Sequence, residues 1–338
     1  MKNKKVVLWI ILIIPIVSII LSLSLGKNSI SFSQMLNIFL GKIFNLNLGN
    51  EISNLQIAII WDIRLPRILL SFLIGGMLSI SGCIFQSVLR NPLASSYTLG
   101  VSSGASLGVG LLIVFGFNSL KNFSYAFVGF SFSILTVLFV LFLCKRIDKR
   151  LNNNSVILVG MVISLFLDSL LNLITSMKKE SLSSILIWKM GSFSSRGWGY
   201  LIFIIPIFVI SFFCVMFFVK ELDILTFGDE MGNSVGVNVK NVKFKLLILS
   251  SVLTGVSISS SGIIGFIDLI TPQICRKIFG GNHKIIIPLS MILGGSFMIW
   301  FDFVARNIVY PSELPLSTIN ALIGTPIFCY VLFRRTVR

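Results

Sequence analysis

Asp168 and Asp268 are carboxylates set inside otherwise apolar stretches, and His283 is the single histidine of the chain. A carboxylate at membrane depth is costly to expose to lipid, so it faces a partner helix, a water-filled path or a bound cation. Asp168 is therefore a candidate for proton carriage or for lining a pathway. His283 stands in the basic, glycine-containing run from Gly280 to Lys284 and reads as a solvated loop residue. The five cysteines, Cys83, Cys144, Cys214, Cys275 and Cys329, show no CxxC spacing and sit in or beside apolar runs, as buried free thiols would. Asp302 and Arg306 are four apart, which on a helix allows an ion pair. No nucleophile and base recur at a catalytic spacing, and no metal-ligand cluster is visible. The expectation is a chain with no catalytic residue, no metal and no cofactor of its own.

The elements that position these residues are membrane spans. The chain has 338 residues, of which 55% are hydrophobic and 12% charged, with a mean hydropathy of +0.96. Such a composition excludes a soluble globular domain. Apolar windows without charge occur at 6–25, 68–89, 98–120, 122–144, 200–219, 246–267, 285–301 and 314–333. A further window at 151–177 is interrupted by Asp168, and a short one lies at 269–275. The expected fold class is an all-α membrane protein of about ten transmembrane helices, one polytopic domain over residues 1–338. An even number of spans puts both termini on one side. With the N-terminus inside, 18 of the 28 basic residues fall on the cytoplasmic side, which is the positive-inside bias. That distribution also explains the net charge of +16 without a nucleic-acid partner, because no loop is long enough to carry a basic domain. The apolar run at 6–25 exceeds a cleaved signal segment and reads as a retained first span.

The segment 64–110 is crowded with Gly, Ser, Gln and Asn, although residues 68–89 lack any charge. A plain anchor has no use for those side chains, so this segment faces the bundle interior or a pathway. Gln86, Asn91 and Asp168 are the pathway candidates. Gly100, Gly104 and Gly108, spaced by four, suit close helix contact better than a phosphate loop. No GxxxxGK[ST] occurs, so any ATP would be bound by another subunit. An offset of 180 residues superposes Gly75 on Gly255, Ser79 on Ser259, Ser81-Gly82 on Ser261-Gly262, Pro92 on Pro272 and Gly100 on Gly280. In the ten-span topology the two copies run in opposite directions, an inverted internal repeat of the kind transporters use.

The longest cytoplasmic segment spans 220–245 and contains FGDEMGNSVGVNVK. Asp229 and Glu230 suit the first turn of a short helix, and Gly232 and Gly236 would leave a low-relief face for a partner.

RLPR at 64–67, SGCIFQSVLRNPLASSYTLGVSSGASLG at 81–108, FGDEMGNSVGVNV at 227–239, SGIIGFIDLITPQICRKIFGGNHK at 261–284 and the block at 302–328 resemble the FecCD-type permease family. These are membrane subunits of ATP-binding-cassette importers for iron–siderophore complexes, haem and cobalamin. The resemblance implies a dimeric type II importer fold with the pathway at the subunit interface. It also implies a second permease subunit (a homodimer), two cytoplasmic ATPase subunits and an extracytoplasmic substrate-binding protein. Carried over by position, Asp229, Glu230, Met231, Gly232, Val235 and Gly236 would form the ATPase-coupling helix. Arg64, Arg67 and Arg306 would receive carboxylates of the binding protein. Asp268 departs from the glycine common at its position, and Asp168 from the small residue common at its own; both leave the cargo open. The alternative is a proton-coupled secondary transporter using Asp168, which co-purification of an ATPase would exclude.

Overall fold

The computed structural model describes residues 2–25, 31–44, 53–116, 123–148, 151–309 and 312–336. Among the basic residues behind the topology, Lys27, Lys121, Lys149, Arg150 and Arg338 lie outside the described residues, as do the side chains of Lys2, Lys4, Arg334 and Arg335. The described chain is helical. Its elements are α1 (Lys2–Ser24), α2 (Phe32–Phe44), α3 (Asn54–Ile57), α4 (Leu65–Val88), α5 (Val101–Phe115), α6 (Phe123–Ile147), α7 (Asn153–Met177) and α8 (Leu182–Met190). They continue as α9 (Trp198–Phe217), α10 (Val219–Leu225), α11 (Asp229–Ser234), α12 (Val239–Ser261), α13 (Ile267–Phe279), α14 (His283–Asn307) and α15 (Leu316–Thr336). A π-helical turn, Ala58–Arg64, joins α3 to α4 without a break.

Among the described residues seven helices are long and apolar enough to cross a membrane, and α5 and α15 are shorter apolar helices. The tenth segment is α13. Its 13 residues reach only about 20 Å, too short to span. Gly262, at φ +84°, ends α12, and Phe266, at φ +70°, precedes α13, so the chain turns inside the bundle. Gly82 lies within α4 while its offset counterpart Gly262 terminates α12, so the two halves differ locally at that pair.

The centre of the bundle is α4, buried almost continuously from Leu65 to Val88. It runs antiparallel to α14: Arg67 meets Asp302 and Ser87 meets His283. Between them the backbones nearly touch, for a Cβ on Gly75 would lie 2.3 Å from the Gly294 carbonyl oxygen. A Cβ on Gly82 would lie 1.8 Å from the carbonyl oxygen of Asp268, so glycine alone admits the start of α13 there. Gly104 and Gly108 meet Thr136 and Phe132 of α6 in the same way. Dispersion across such faces, rather than water exclusion, holds helices together in lipid. The buried hydroxyls of Ser71, Ser79 and Ser87 are satisfied by carbonyls of their own helix, while Ser81 bonds Thr254 of α12 at 2.6 Å.

Two expectations are corrected. His283 is not a solvated loop residue; it begins α14, is 1% exposed and is hydrogen-bonded on both ring nitrogens. Asn282 caps that helix instead, which turns the imidazole inward. The cysteines are all free, yet Cys214 and Cys329 are exposed on the outer faces of α9 and α15 rather than buried.

Candidate functional site

The antiparallel register of α4 and α14 separates two polar ends. Arg67 and Ser87 stand 20 residues apart on α4, roughly 30 Å along its axis. At the first end Arg67 is saturated. Its Nε lies 3.1 and 3.0 Å from the two carboxylate oxygens of Asp302, and its Nη2 donates to Oδ1 at 2.7 Å. Glu313 takes the remaining edge, with Nη1–Oε1 at 2.6 Å and Nη2–Oε2 at 2.9 Å. Burial alone would raise the Glu313 carboxyl, but the bonds and charge of Arg67, with Arg306 beyond, hold it below the usual glutamate value. Arg306 sits 3.6 Å from Asp302 and donates to Ser22, and Arg64 donates to the Leu23 carbonyl at 2.6 Å. The three candidate docking arginines thus converge on one end, where α1, α4 and α14 meet. They are largely buried, and Glu313 is the partly exposed carboxylate of the cluster. The predicted Asp302–Arg306 pair is present, but Arg67 is the closer partner of Asp302.

At the other end α10 and α11 form a short hairpin-like segment. Lys243 on α12, almost wholly buried, donates to Asp229 Oδ2 at 2.6 Å and to Asn153 Oδ1 at 2.7 Å. One ammonium thereby fixes the start of α11 to α12 and α7. Asp229 is committed to that pair, whereas Glu230, Met231, Val235 and Gly236 are exposed. Phe227, Met231 and Val235, four apart, make an apolar stripe with each side chain more than half exposed. Gly232 faces the other way. A Cβ there would meet Val239 at 2.6 Å, so its bareness serves packing within the chain rather than contact with a partner. Gly236, at φ +86° with open space around it, is the left-handed turn that ends α11.

Gln86 lies at this second end of α4, beside Ser87, in a network that the sequence reading did not anticipate. Its Oε1 accepts from Gln273 at 2.8 Å and from Arg276 at 2.5 Å. Its Nε2 donates to the carbonyls of Asp268 and Leu269, each at 3.2 Å. The turn after α4 follows directly, with the Asn91 side chain accepting from the Leu93 backbone. Gln273 and Arg276, three apart on α13, share one face, which is the spacing that could have revealed them. Asp268 is buried and accepts from the backbone and hydroxyl of Ser96 at 3.3 and 3.2 Å. It fastens the stretch after Pro92 to the start of α13. Asp168 is half-buried and accepts from Ser103 Oγ at 2.9 Å, where α7 lies along α5. Among the described residues no group of three His, Cys, Asp or Glu side chains could hold a metal ion.

The sequence profile of the FecCD transport family matches residues 12–334. A molybdate import system permease, MolB, from Haemophilus influenzae is 32% identical, covering 97% of this chain and 95% of its own. A hemin transport system permease, HmuU, from Yersinia pestis is also 32% identical, covering 98% of this chain and 97% of its own. A solved ABC transporter assigned to the metal-chelate type, in an inward-facing conformation, superposes with a TM-score of 0.84 at 29% identity over 97% of this chain and 99% of its own.

Proposed function

This chain belongs to the FecCD transport family, and we propose that it is the permease subunit of an ATP-driven importer carrying an iron chelate, haem or cobalamin. The observation that carries the reading is the family match over nearly the whole chain, joined to a helical bundle with seven long apolar helices among its described residues. Membrane permeases of this family are transport subunits and not enzymes. ATP binding and hydrolysis belong to two cytoplasmic subunits, and a binding protein delivers cargo from outside. We assign the exposed stripe of Met231 and Val235 with Glu230 and Gly236 to contact with the ATPase, and Asp229 to anchoring that helix. Arg64, Arg67 and Arg306, at the opposite end, mark the face for the binding protein; Glu313 is positioned to yield to an incoming carboxylate. The termini lie on the ATPase side.

Support for a two-copy pathway comes from α7, the least buried of the long spans. Asp168, Asn172 and Ser176 are spaced by four on it, and Asn172 and Ser176 are exposed. A polar stripe does not face lipid, so this one meets a second copy of the chain across a hydrated path. Gln86 and Asn91, the other pathway candidates, stand at the end of α4. A carboxylate at Asp168 on that path disfavours an anionic ferric chelate and suits a neutral or cationic cargo. Equilibrium binding of haemin, a ferric hydroxamate, cobalamin and molybdate to the partner binding protein tests the cargo. Tight binding of molybdate alone would overturn the chelate assignment.

A further inference from the structure

Asp223 on α10, His283 on α14, Ser87 on α4 and Arg276 on α13 form one unbroken chain of hydrogen bonds. Asp223 Oδ1 accepts from the His283 backbone N–H at 2.9 Å and stands 2.5 Å from its Nδ1. The imidazole Nε2 is 2.6 Å from Ser87 Oγ. Arg276 donates through Nη2 to Ser87 Oγ at 2.8 Å and through Nη1 to Gln86 Oε1 at 2.5 Å. Gln86 then reaches the backbone at Asp268 and Leu269, where α13 begins. The carboxylate at Nδ1 and the Ser87 oxygen at Nε2 hold the imidazole from both sides, and the serine hydroxyl also reaches the Cys83 carbonyl of its own helix at 2.8 Å.

The order serine, histidine, aspartate resembles a hydrolytic arrangement, but Ser87 is 3% exposed, sits within α4 and is already bonded to Arg276. No carbonyl substrate can reach it. The chain has another property: one end is open and the other is deep. Asp223 is partly exposed beside α11, whereas His283, Ser87 and Gln86 are buried. It crosses four helices, and its far end is the break between α4 and α5 together with the start of α13. Buried polar partners stay paired when helices shift, because an orphaned group cannot turn to water. A displacement of α10 therefore carries α14, α4 and α13 with it.

We propose that the Asp223–His283–Ser87–Arg276–Gln86 chain transmits movement of the coupling segment to the break after α4, with Ser87 and His283 as positioning residues for transport. This rests on the ATP-driven reading given above. What the chain adds is a physical link between a site at which nucleotide acts and an element inside the membrane that must respond. Lys243 and Asp229 hold the same segment to α12 but lead to no such break.

The test uses the complete importer, with its ATPase and binding protein, in lipid nanodiscs. Exposed Cys214 and Cys329 are replaced by serine, and single spin labels are placed by Leu93→Cys or Asn233→Cys. Pulsed electron resonance measures the label-to-label distance between the two permease copies, without nucleotide and with ATP plus vanadate. In the otherwise unsubstituted importer both positions shift. In Ser87→Ala or Gln86→Leu the Asn233 shift persists and the Leu93 shift is lost, and Ser87→Thr, which keeps the hydroxyl, restores it. A normal Leu93 shift in Ser87→Ala overturns the link. So does loss of both shifts together with loss of ATPase association, which would mark Ser87 as merely structural. An importer in which neither position responds before any relay substitution overturns the ATP-driven reading itself, and the link with it.

Discussion

Removing the Asp302 carboxylate should destabilise the fold far more than removing that of Glu313, although both bind Arg67. Asp302 is 1% exposed and offers Arg67 three close N–O contacts, at 2.7, 3.0 and 3.1 Å. Breaking a buried ion pair by deleting one partner costs about 3–5 kcal/mol, because the other charge is left in low dielectric. Arg67 keeps the Glu313 edge, and Arg306 loses only a 3.6 Å contact, so Asp302→Ala should cost about 2–4 kcal/mol. The Glu313 side chain is 32% exposed, so water screens and replaces it; Glu313→Ala should cost about 1 kcal/mol or less. Reversible unfolding of detergent-solubilised protein by increasing dodecyl sulfate gives both numbers. Trp61 and Trp198, with rings 5.6 Å apart, report the local end by fluorescence, and far-UV dichroism reports the whole bundle. Equal losses for the two variants, or a loss below about 1 kcal/mol for Asp302→Ala, would refute the assignment of Asp302 as the buried partner.

Gly82→Ala should lower stability by about 1–3 kcal/mol, since its Cβ would strike the Asp268 carbonyl, while Gly281→Ala, in open space, should change little; the same unfolding assay separates them. Met231→Glu and Val235→Glu should reduce co-purification of the ATPase and leave membrane insertion intact, whereas Gly232→Ala should act through stability by striking Val239. The folded Glu313 pKa lies below the ordinary 4.5, so its contribution is complete above the unfolded value and fades as pH falls through the folded one. Acid titration of unfolding should therefore show a loss below about pH 4.5 that Glu313→Gln lacks. Asp168→Asn retains an oxygen for Ser103 but no charge, so altered uptake with intact assembly would place Asp168 on the pathway; Asp168→Leu should impair assembly as well.

Much of the architecture was legible because lipid restricts the backbone to helices whose length and apolarity are plain in one dimension. The apolar segments and the close approach at Gly104 and Gly108 follow from spacing alone, whereas the turn at 262–266 falls inside the window 246–267 that reads as one span. Residues that meet across the bundle were not legible. Gln86 and Arg276 are 190 positions apart, and nothing in their local sequence pairs them. His283 was misread because its neighbours Gly280, Gly281 and Asn282 resemble a loop, when Asn282 is a helix cap that turns the ring inward. Gly232 was assigned to a partner because a bare face looks the same in sequence whether Val239 or another subunit covers it.

The most direct test of the account is to isolate the tagged chain from its native membrane and measure what accompanies and drives it. The account predicts co-isolation of a nucleotide-binding ATPase subunit and accumulation of cargo in proteoliposomes that requires ATP hydrolysis and the binding protein. A chain that isolates without an ATPase and accumulates cargo on a proton gradient alone, with uptake abolished by Asp168→Asn, would contradict it.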